Sequence, residues 1–115
     1  MAEDPNCVFC KIVAGELPSS PVWQDEHVIA IPDIAPKAPT HLLVVPKRHV
    51  ADIVEAAADA RLSAAILNGV AEVARQEGLT DFNTVFNTGP KSGQTVFHVH
   101  AHILAGKNVW AGATD

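Results

Sequence analysis

The chain has 115 residues, 48% of them hydrophobic, and its 8 Lys and Arg against 13 Asp and Glu give a net charge of -5. This length predicts one domain over residues 1–115, built around a single core. The acidic balance and the lack of a basic run argue against a nucleic-acid partner or an anionic membrane.

The N-terminal segment carries two acids and no long apolar run. It therefore predicts neither a signal peptide nor a membrane span, and we expect a cytoplasmic protein. Cys7 and Cys10 have C-x-x-C spacing, which in a reducing compartment is more typical of a metal or redox site than of a structural disulfide. Val8 to Ala14 predicts a short helix closed by Gly15.

Three strands are predicted next. SSPVWQDE begins the first, Asp25 and Glu26 form a turn, and HVIAIPD is the returning strand. DIAPKAPT is a stiff loop, because its prolines lack the amide donor that a sheet needs. THLLVVPK predicts a third strand that ends at Pro46.

Asp59 to Glu77 is the strongly helical segment. Asp59 can cap it and Gly78 can end it. Its apolar stripe predicts packing against a sheet and consists of Leu62, Ile66, Val70 and Val73. FNTVFNT predicts a fourth strand, and the turn GPKSGQ leads into a fifth. Because the turns are short, we expect antiparallel pairing in an α+β domain with about five strands, one long helix and a short N-terminal helix.

The fifth predicted strand, Thr95 to Leu104, carries three histidines at alternate positions. In a helix His100 would lie almost opposite His98 and His102, whereas a strand puts all three on one face. Adjacent imidazoles repel one another when charged and add little stability, so the pattern favours metal ligation or phosphoryl chemistry. The other face would pack a core and consists of Phe97, Val99, Ala101 and Ile103.

Two further groups have chemical potential. The turn NTGPKSGQT offers Asn87, the hydroxyls of Ser92 and Thr95, and free backbone N–H groups that can cradle a phosphate. Taken alone, it is more typical of an ordinary hairpin turn, but its position directly before the three histidines favours a phosphate site. His41 would most often be structural, and His27 solvated.

The pair Cys7 and Cys10 can supply two thiolates to one zinc ion, with His49 and His98 as candidates for the remaining ligands. Two alternatives stay open. A thioredoxin-like redox pair is disfavoured, since no strand precedes the cysteines. Two inert buried thiols are the other reading.

Several segments, in one order, resemble the histidine triad (HIT) superfamily of nucleotide hydrolases and transferases. HVHAHIL fits its pattern His-x-His-x-His followed by apolar residues, and the resemblance runs from Cys7 to Trp110. It also covers CVFCKIVAGELPS, DIAPKAPTHLLVVPKRH, NTG and GQTVFHVHAHIL. The chain is most similar to the purine nucleoside phosphoramidase branch, which implies a HIT-like fold, a purine nucleotide substrate and a homodimer paired through the helix and adjoining strands. The tail around Trp110 departs from that branch's pattern.

The resemblance implies a covalent mechanism. His100 would attack the α-phosphorus of a nucleoside 5'-phosphoramidate, with adenosine as the expected nucleoside, and water would then release the nucleoside monophosphate. His102 would hydrogen-bond the phosphate or the leaving atom, and His41 would orient the nucleophile. No catalytic metal is required. Hydrolysis of dinucleoside polyphosphates and non-catalytic nucleotide binding are the alternatives.

The resemblance also assigns the remaining contacts. Asp33 would accept the ribose hydroxyls, and the phosphoryl oxygens would be held by Asn87, Thr95 and the N–H groups of Gly93 and Val96. Relatives often have Ser where this chain has Thr95. An apolar base slot would consist of Val8, Phe9, Ile12, Ile31 and Ile34, for which plain core is the alternative.

Zinc-bearing relatives use a combination that Cys7, Cys10, His49 and His98 match. A structural zinc there would hold the backbone of His98, whose carbonyl could then orient the ring of His100. The competing arrangement is a hydrogen-bonded relay between His49 and His98, with the two cysteines as buried apolar thiols.

Overall fold

The computed structural model describes residues 3–106 of the chain. In chain order the elements are α1 (Val8–Val13), β1 (Trp23–Gln24), β2 (Val28–Pro32), β3 (Thr40–Pro46), α2 (Ile53–Ala57), α3 (Ala60–Gln76), β4 (Asn83–Val85), a 3-10 turn (Pro90–Ser92) and β5 (Ala101–Ala105). The strands form one antiparallel sheet in the order β1-β2-β3-β5-β4. The predicted α+β fold, with its five strands, long helix and short N-terminal helix, is confirmed.

One face of the sheet packs against α3. The Asp59 side chain accepts a hydrogen bond from the Leu62 N–H at 3.1 Å and caps the helix, as predicted. Gly69 allows the helix to approach closely, because a Cβ there would lie 2.8 Å from Cγ2 of Val28 and 3.0 Å from Cγ1 of Val44. The predicted stripe is buried against Val28, Ala30, Leu42, Val44, Ala101 and Ile103.

The opposite face is partly covered by α1. The Cys7 sulfur accepts a hydrogen bond from the Cys10 N–H at 3.4 Å and caps this helix, which has six residues. Phe9 and Cys10 are buried in a second cluster with Ile29, Ile31, Leu43 and Val45. The helix thus covers β2 and the adjoining part of β3 and leaves the rest of this face open.

Histidines occupy the open part of that face. In the β3–β5 register His102 lies opposite Leu43, and His41 lies opposite Leu104. Since paired residues share a face and the side-chain period is two, His41 and His102 are diagonal neighbours on the side away from α3.

The predicted fifth strand is too long at its N-terminal end. The strand begins at Ala101, so His98 and His100 precede it. The segment before Ala101 bonds to a loop and not to a strand, because the Val99 N–H donates to the Val50 carbonyl at 2.8 Å in the loop after β3. The apolar face also differs at one position, since Phe97, expected in the core, is half exposed, whereas His98 is fully buried.

Other elements differ in extent. β1 has two residues and β4 three, and the connection from β4 to β5 is a loop over residues 86–100 rather than a tight turn. Helix α2 was not predicted; Asp52 caps it by accepting from the Glu55 N–H at 3.0 Å. Within residues 3–106, no helix is both long and apolar enough to cross a membrane.

Candidate functional site

A cavity of about 380 Å³ opens beside β3 and β5 on the face that α3 does not cover. All twelve residues expected to bind substrate line it: Val8, Phe9, Ile12, Ile31, Asp33, Ile34, Asn87, Gly93, Thr95, Val96, His100 and His102. His41 lines it as well, with Pro32, Ala35, Lys37 and Leu43, which the sequence did not single out. Trp110 lies outside the described residues.

The ring of His100 is held with one nitrogen free. Its Nδ1 is 2.8 Å from the carbonyl oxygen of His98. A carbonyl can only accept, so Nδ1 carries the proton and Nε2 keeps its lone pair. The edge of Phe9 packs against the ring, with the centroids 5.0 Å apart. Burial lowers the pKa of His100 from its ordinary value of 6.5, which favours the neutral, nucleophilic form.

His41 and His102 form a directional chain of hydrogen bonds. The Lys37 backbone N–H donates to Nδ1 of His41 at 3.0 Å, so His41 carries its own proton on Nε2. That nitrogen is 2.9 Å from Nδ1 of His102. Donation from His41 leaves the proton of His102 on its Nε2, where it can serve a ligand in the cavity.

The same environment keeps these two rings neutral. Burial, together with the neighbouring His100 and His41, lowers the pKa of His102 to about 4. Burial also lowers the pKa of His41, although the Asp33 carboxylate opposes the change. Both rings can therefore donate hydrogen bonds near neutral pH without adding charge.

Asp33 makes two contacts with its carboxylate. Its Oδ1 accepts from the Ala35 N–H at 2.8 Å, which fixes the start of the loop between β2 and β3. Its Oδ2 lies 3.3 Å from Nε2 of His41. Asp33 therefore contacts His41 and also lines the cavity.

The segment over residues 87–96 forms the wall expected to hold phosphate. The Asn87 side chain donates to the Ser92 carbonyl at 2.8 Å, and the Gly93 N–H donates to the Pro90 carbonyl at 3.2 Å. Among residues 3–106, no acceptor engages the N–H groups of Thr95 and Val96. Both residues line the cavity, so these two backbone donors are available to an anion there.

Gln94 holds this loop in position, and the sequence analysis missed it. The side chain is buried; its Oε1 accepts from the Gly89 N–H at 2.9 Å and its Nε2 donates to the Ala51 carbonyl at 2.8 Å. A second contact joins Nε2 to the Val96 carbonyl at 3.1 Å. Nothing in a single sequence marks a loop glutamine as buried, so only its position in GQT could have drawn attention to it.

The residues of the expected base slot differ in burial. Phe9 and Ile31 belong to the cluster beneath α1, whereas Val8 is 40% exposed and Ile34 is 101% exposed. The slot therefore has a packed floor and an exposed rim. Plain core accounts for the floor, but it does not account for an isoleucine fully exposed at the mouth of a cavity.

The four predicted metal ligands come together at the edge of this region. One ligand atom each from Cys7, Cys10, His49 and His98 lies within 4.8 Å of the others. Nδ1 of His98 is 3.4 Å from the sulfur of Cys7 and 3.1 Å from Nδ1 of His49. The sulfur of Cys10 is 3.2 Å from Nδ1 of His49.

The donor set fits a metal ion. Nε2 of His98 is 2.7 Å from the Pro46 carbonyl, so Nε2 carries the proton and Nδ1 turns its lone pair toward the cluster. Two sulfurs and two imidazole nitrogens are the ligands that zinc prefers. Without a metal, burial raises the pKa of the Cys10 thiol to about 11. A His49 Nδ1–H donating to His98 Nδ1 is equally compatible with 3.1 Å, so the relay alternative also fits.

A second cluster of potential metal ligands is equally compact, but its chemistry does not suit a metal ion. Asp33, His41 and His102 also bring ligand atoms within 4.8 Å of one another. Nε2 of His41, however, is the nitrogen that must carry the proton, because Nδ1 accepts from the Lys37 N–H. This group therefore fits a hydrogen-bond relay and not a metal site.

The comparisons with known proteins agree with this geometry. The HIT domain model matches residues 14–109. A HIT-like protein of Synechococcus elongatus is 44% identical over 111 residues, which cover 95% of this chain and 96% of the relative. A 14 kDa zinc-binding protein of Zea mays is 40% identical over 113 residues, covering 93% of this chain and 87% of the relative.

The fold is similar to that of solved HIT structures. A HIT family hydrolase from Legionella pneumophila superimposes with a TM-score of 0.84 at 43% identity, covering 90% of this chain and 96% of that one. At the level that these relatives share, the similarity supports a hydrolase-type enzyme. The match over most of the chain and the high identity to full-length relatives show that the chain belongs to the HIT domain family.

Proposed function

We propose that the protein hydrolyses nucleoside 5'-phosphoramidates, with adenosine as the nucleoside, through a covalent nucleotidyl-histidine intermediate. The observation that carries the proposal is the free Nε2 of His100 inside a cavity, with Nδ1 held by the His98 carbonyl at 2.8 Å. A neutral imidazole held in this way is a good nucleophile, and a phosphorylated imidazole is a good leaving group.

In the first step Nε2 of His100 bonds to the α-phosphorus as the P–N bond breaks. The electron pair of that bond goes to the amine nitrogen, which takes a proton from solvent, and the Nε2–H of His102 hydrogen-bonds the leaving atom. In the second step water attacks phosphorus, the Nε2–P bond breaks, and the nucleoside monophosphate is released. The N–H groups of Thr95 and Val96, with Asn87, stabilise the phosphoryl oxygens.

The cavity supports recognition of a nucleoside. The apolar rim and floor from α1 and β2 fit a base, and Asp33 between them and the histidines fits two ribose hydroxyls. The purine preference rests on the family branch that the sequence resembles.

A structural zinc bound by Cys7, Cys10, His49 and His98 is part of this proposal. When bound, the ion would connect α1 to His49 in the segment after β3 and to His98 in the segment before β5. It would not activate water. The zinc-binding relative from Zea mays and the compact Cys and His cluster support it.

We also propose a cytoplasmic homodimer that pairs through α2, α3 and the adjoining β4. An apolar groove of about 200 Å³, lined in part by Ile53, Leu67 and Phe86, lies along these helices. Leu67 and Val54 are exposed apolar side chains there, which is unusual for a face that stays in water.

The deciding experiment is to quench the enzyme during turnover of adenosine 5'-phosphoramidate carrying a labelled adenosine, and to map the adduct by mass spectrometry. The proposal requires the label on His100. Label on another residue would overturn the nucleophile assignment. Faster turnover of diadenosine polyphosphates would reassign the substrate class, and nucleotide binding without turnover of either would indicate a binding protein.

A further inference from the structure

We propose that Lys37 binds a negatively charged group on the leaving amine, so that the preferred substrates are phosphoramidates whose amine carries a carboxylate. This inference rests on the proposed function and adds the chemical class of the leaving group.

Lys37 lies in the loop between β2 and β3 and lines the cavity. Its backbone N–H is bonded to His41, which fixes the start of the side chain beside the histidine chain. Among the lining residues only Asp33 and Lys37 carry a full charge at neutral pH. Within the described part of the chain, no carboxylate lies at ion-pair distance from the Lys37 ammonium.

The ammonium acts on one side of the site. Its positive charge lowers the pKa values of His41 and His102, and it is not among the causes that lower the pKa of His100. Asp33, by contrast, raises the pKa values of all three rings. The geometry agrees, because the Lys37 N–H is 3.0 Å from Nδ1 of His41, whose Nε2 is 2.9 Å from Nδ1 of His102, so the Lys37 backbone lies at the His41 end of the histidine chain.

The leaving group occupies that side. In phosphoryl transfer the attacking and leaving atoms are roughly in line through phosphorus, so the amine departs away from His100. His102 is the ring assigned to the leaving atom, and Lys37 is bonded through its backbone N–H to His41, the hydrogen-bond partner of His102. The phosphoryl oxygens already have donors in Asn87, Thr95 and Val96, which leaves the ammonium for the substituent on the amine.

A lysine suits this task. Its ammonium is a point charge on a flexible stem, and it can reach an anion whose position varies from one substrate to another. A carboxylate on the amine and a further phosphate in a polyphosphate both offer a negative charge. Phosphoramidates contain a P–N bond and no second phosphate, so a pair of them that differs in one carboxylate tests the first possibility. Diadenosine triphosphate tests the second.

The experiment compares two substrates that differ in one charge: the phosphoramidates formed from adenosine 5'-phosphate with the amino groups of glycine and of glycinamide. The measured quantity is the ratio of kcat/KM for glycine over glycinamide. We expect this ratio to fall about fivefold to tenfold in Lys37→Gln and further in Lys37→Glu, whereas Lys37→Arg should retain it. A tenfold change corresponds to about 1.4 kcal/mol.

Arg61→Gln is the control, since it removes one positive charge from an exposed residue of α3 that does not line the cavity. The ratio should remain at its wild-type value in this variant. Added salt should lower the wild-type ratio toward that of Lys37→Gln, because salt screens the attraction between an exposed ammonium and a carboxylate.

Equal losses on both substrates in Lys37→Gln would mean that Lys37 acts on the phosphate or the loop, and an unchanged ratio would mean that it has no role in selection; either result overturns the inference. A loss confined to diadenosine triphosphate would replace the carboxylate with a phosphate. Affinities for the same two ligands in a His100→Asn background, measured by calorimetry, test Lys37 independently of turnover. A wild type that binds both ligands but hydrolyses neither refutes the proposed function alone.

Discussion

The carbonyl of His98 accepts a hydrogen bond from Nδ1 of His100 at 2.8 Å, and the ring of the same His98 belongs to the Cys and His cluster. One residue therefore connects the candidate metal site to the candidate nucleophile through its backbone. Any shift of the His98 side chain would be transmitted to the carbonyl that fixes the tautomer of His100.

His100→Ala removes the proposed nucleophile and leaves the other residues that line the cavity unchanged. We expect kcat on adenosine 5'-phosphoramidate to fall at least about a thousandfold, with nucleoside monophosphate affinity within a few fold of wild type. Steady-state kinetics and calorimetry measure the two quantities. A variant that retained wild-type kcat would refute the covalent mechanism.

Asp33→Ala should affect ribose recognition. A carboxylate can accept hydrogen bonds from both ribose hydroxyls, so we expect affinity for a nucleoside monophosphate to fall about tenfold, or about 1.4 kcal/mol. The 2',3'-dideoxy analogue should lose much less, and its loss measures the contribution of the Asp33 contacts with Ala35 and His41. Equal losses for both ligands, measured by calorimetry, would rule out the ribose role.

Cys7→Ser/Cys10→Ser should remove one zinc ion per chain and lower the Tm by about 10 °C or more, because binding to the folded state alone contributes to folding stability. Elemental analysis of protein purified without an affinity tag measures the metal. The variant should also lose activity, because a displaced His98 carbonyl would no longer orient the ring of His100. A metal-free wild type with full stability and activity would support the relay between His49 and His98 instead.

Gly69→Ala tests the approach of α3 to the sheet. Alanine in a helix normally gains about 1 kcal/mol over glycine, but overpacking a core costs about 1–3 kcal/mol. The added Cβ would meet two buried, β-branched valines at 2.8 and 3.0 Å, so the cost should exceed the gain and the Tm should fall by several degrees. Asn68→Ala, on the exposed side of the same helix, is the control and should not lower the Tm.

The burial of His102 predicts a loss of stability in acid. Its folded-state pKa is about 4, below its ordinary value of 6.5, so the unfolded chain takes up the proton first as the pH falls. The contribution of His102 is constant above about pH 6.5 and is lost progressively between about pH 6.5 and pH 4. The charged and titratable groups around it are His41, His100, Asp33 and Lys37.

Chemical denaturation at about pH 7 and pH 5 measures this effect. His102→Gln keeps a hydrogen-bonding side chain without the titration, so its free energy of unfolding should fall less over this interval than that of the wild type. Equal slopes in the two proteins would show that His102 does not govern the acid response.

Local patterns in the sequence predicted the central elements because the signals for each of those elements lie within one continuous segment. Helix α3 has its cap, stripe and terminating glycine within one segment, and β2 and β3 are continuous apolar runs. The N-terminal half of the histidine segment could not be predicted in the same way. Its alternation continues without a break, but Val99 pairs with Val50, a contact that no local pattern encodes.

The candidate site shows the same division. The family motifs led to the residues that line the cavity, while the resemblance assigned no role to Gln94 or Lys37, although both lie within the quoted motifs. Gln94 acts by joining three backbone segments, and the backbone of Lys37 sets the tautomer of His41. Both effects depend on loops that meet only in the folded chain.

The short helix α1 forms one wall of the cavity, and a helix of six residues has almost no stability of its own. It persists through the burial of Phe9 and Cys10 against β2 and β3. The affinity of this cavity for a ligand is therefore the intrinsic affinity multiplied by the fraction of molecules in which this helix is docked. Substitutions that loosen its packing should weaken ligand binding while the central sheet keeps its protection against hydrogen exchange.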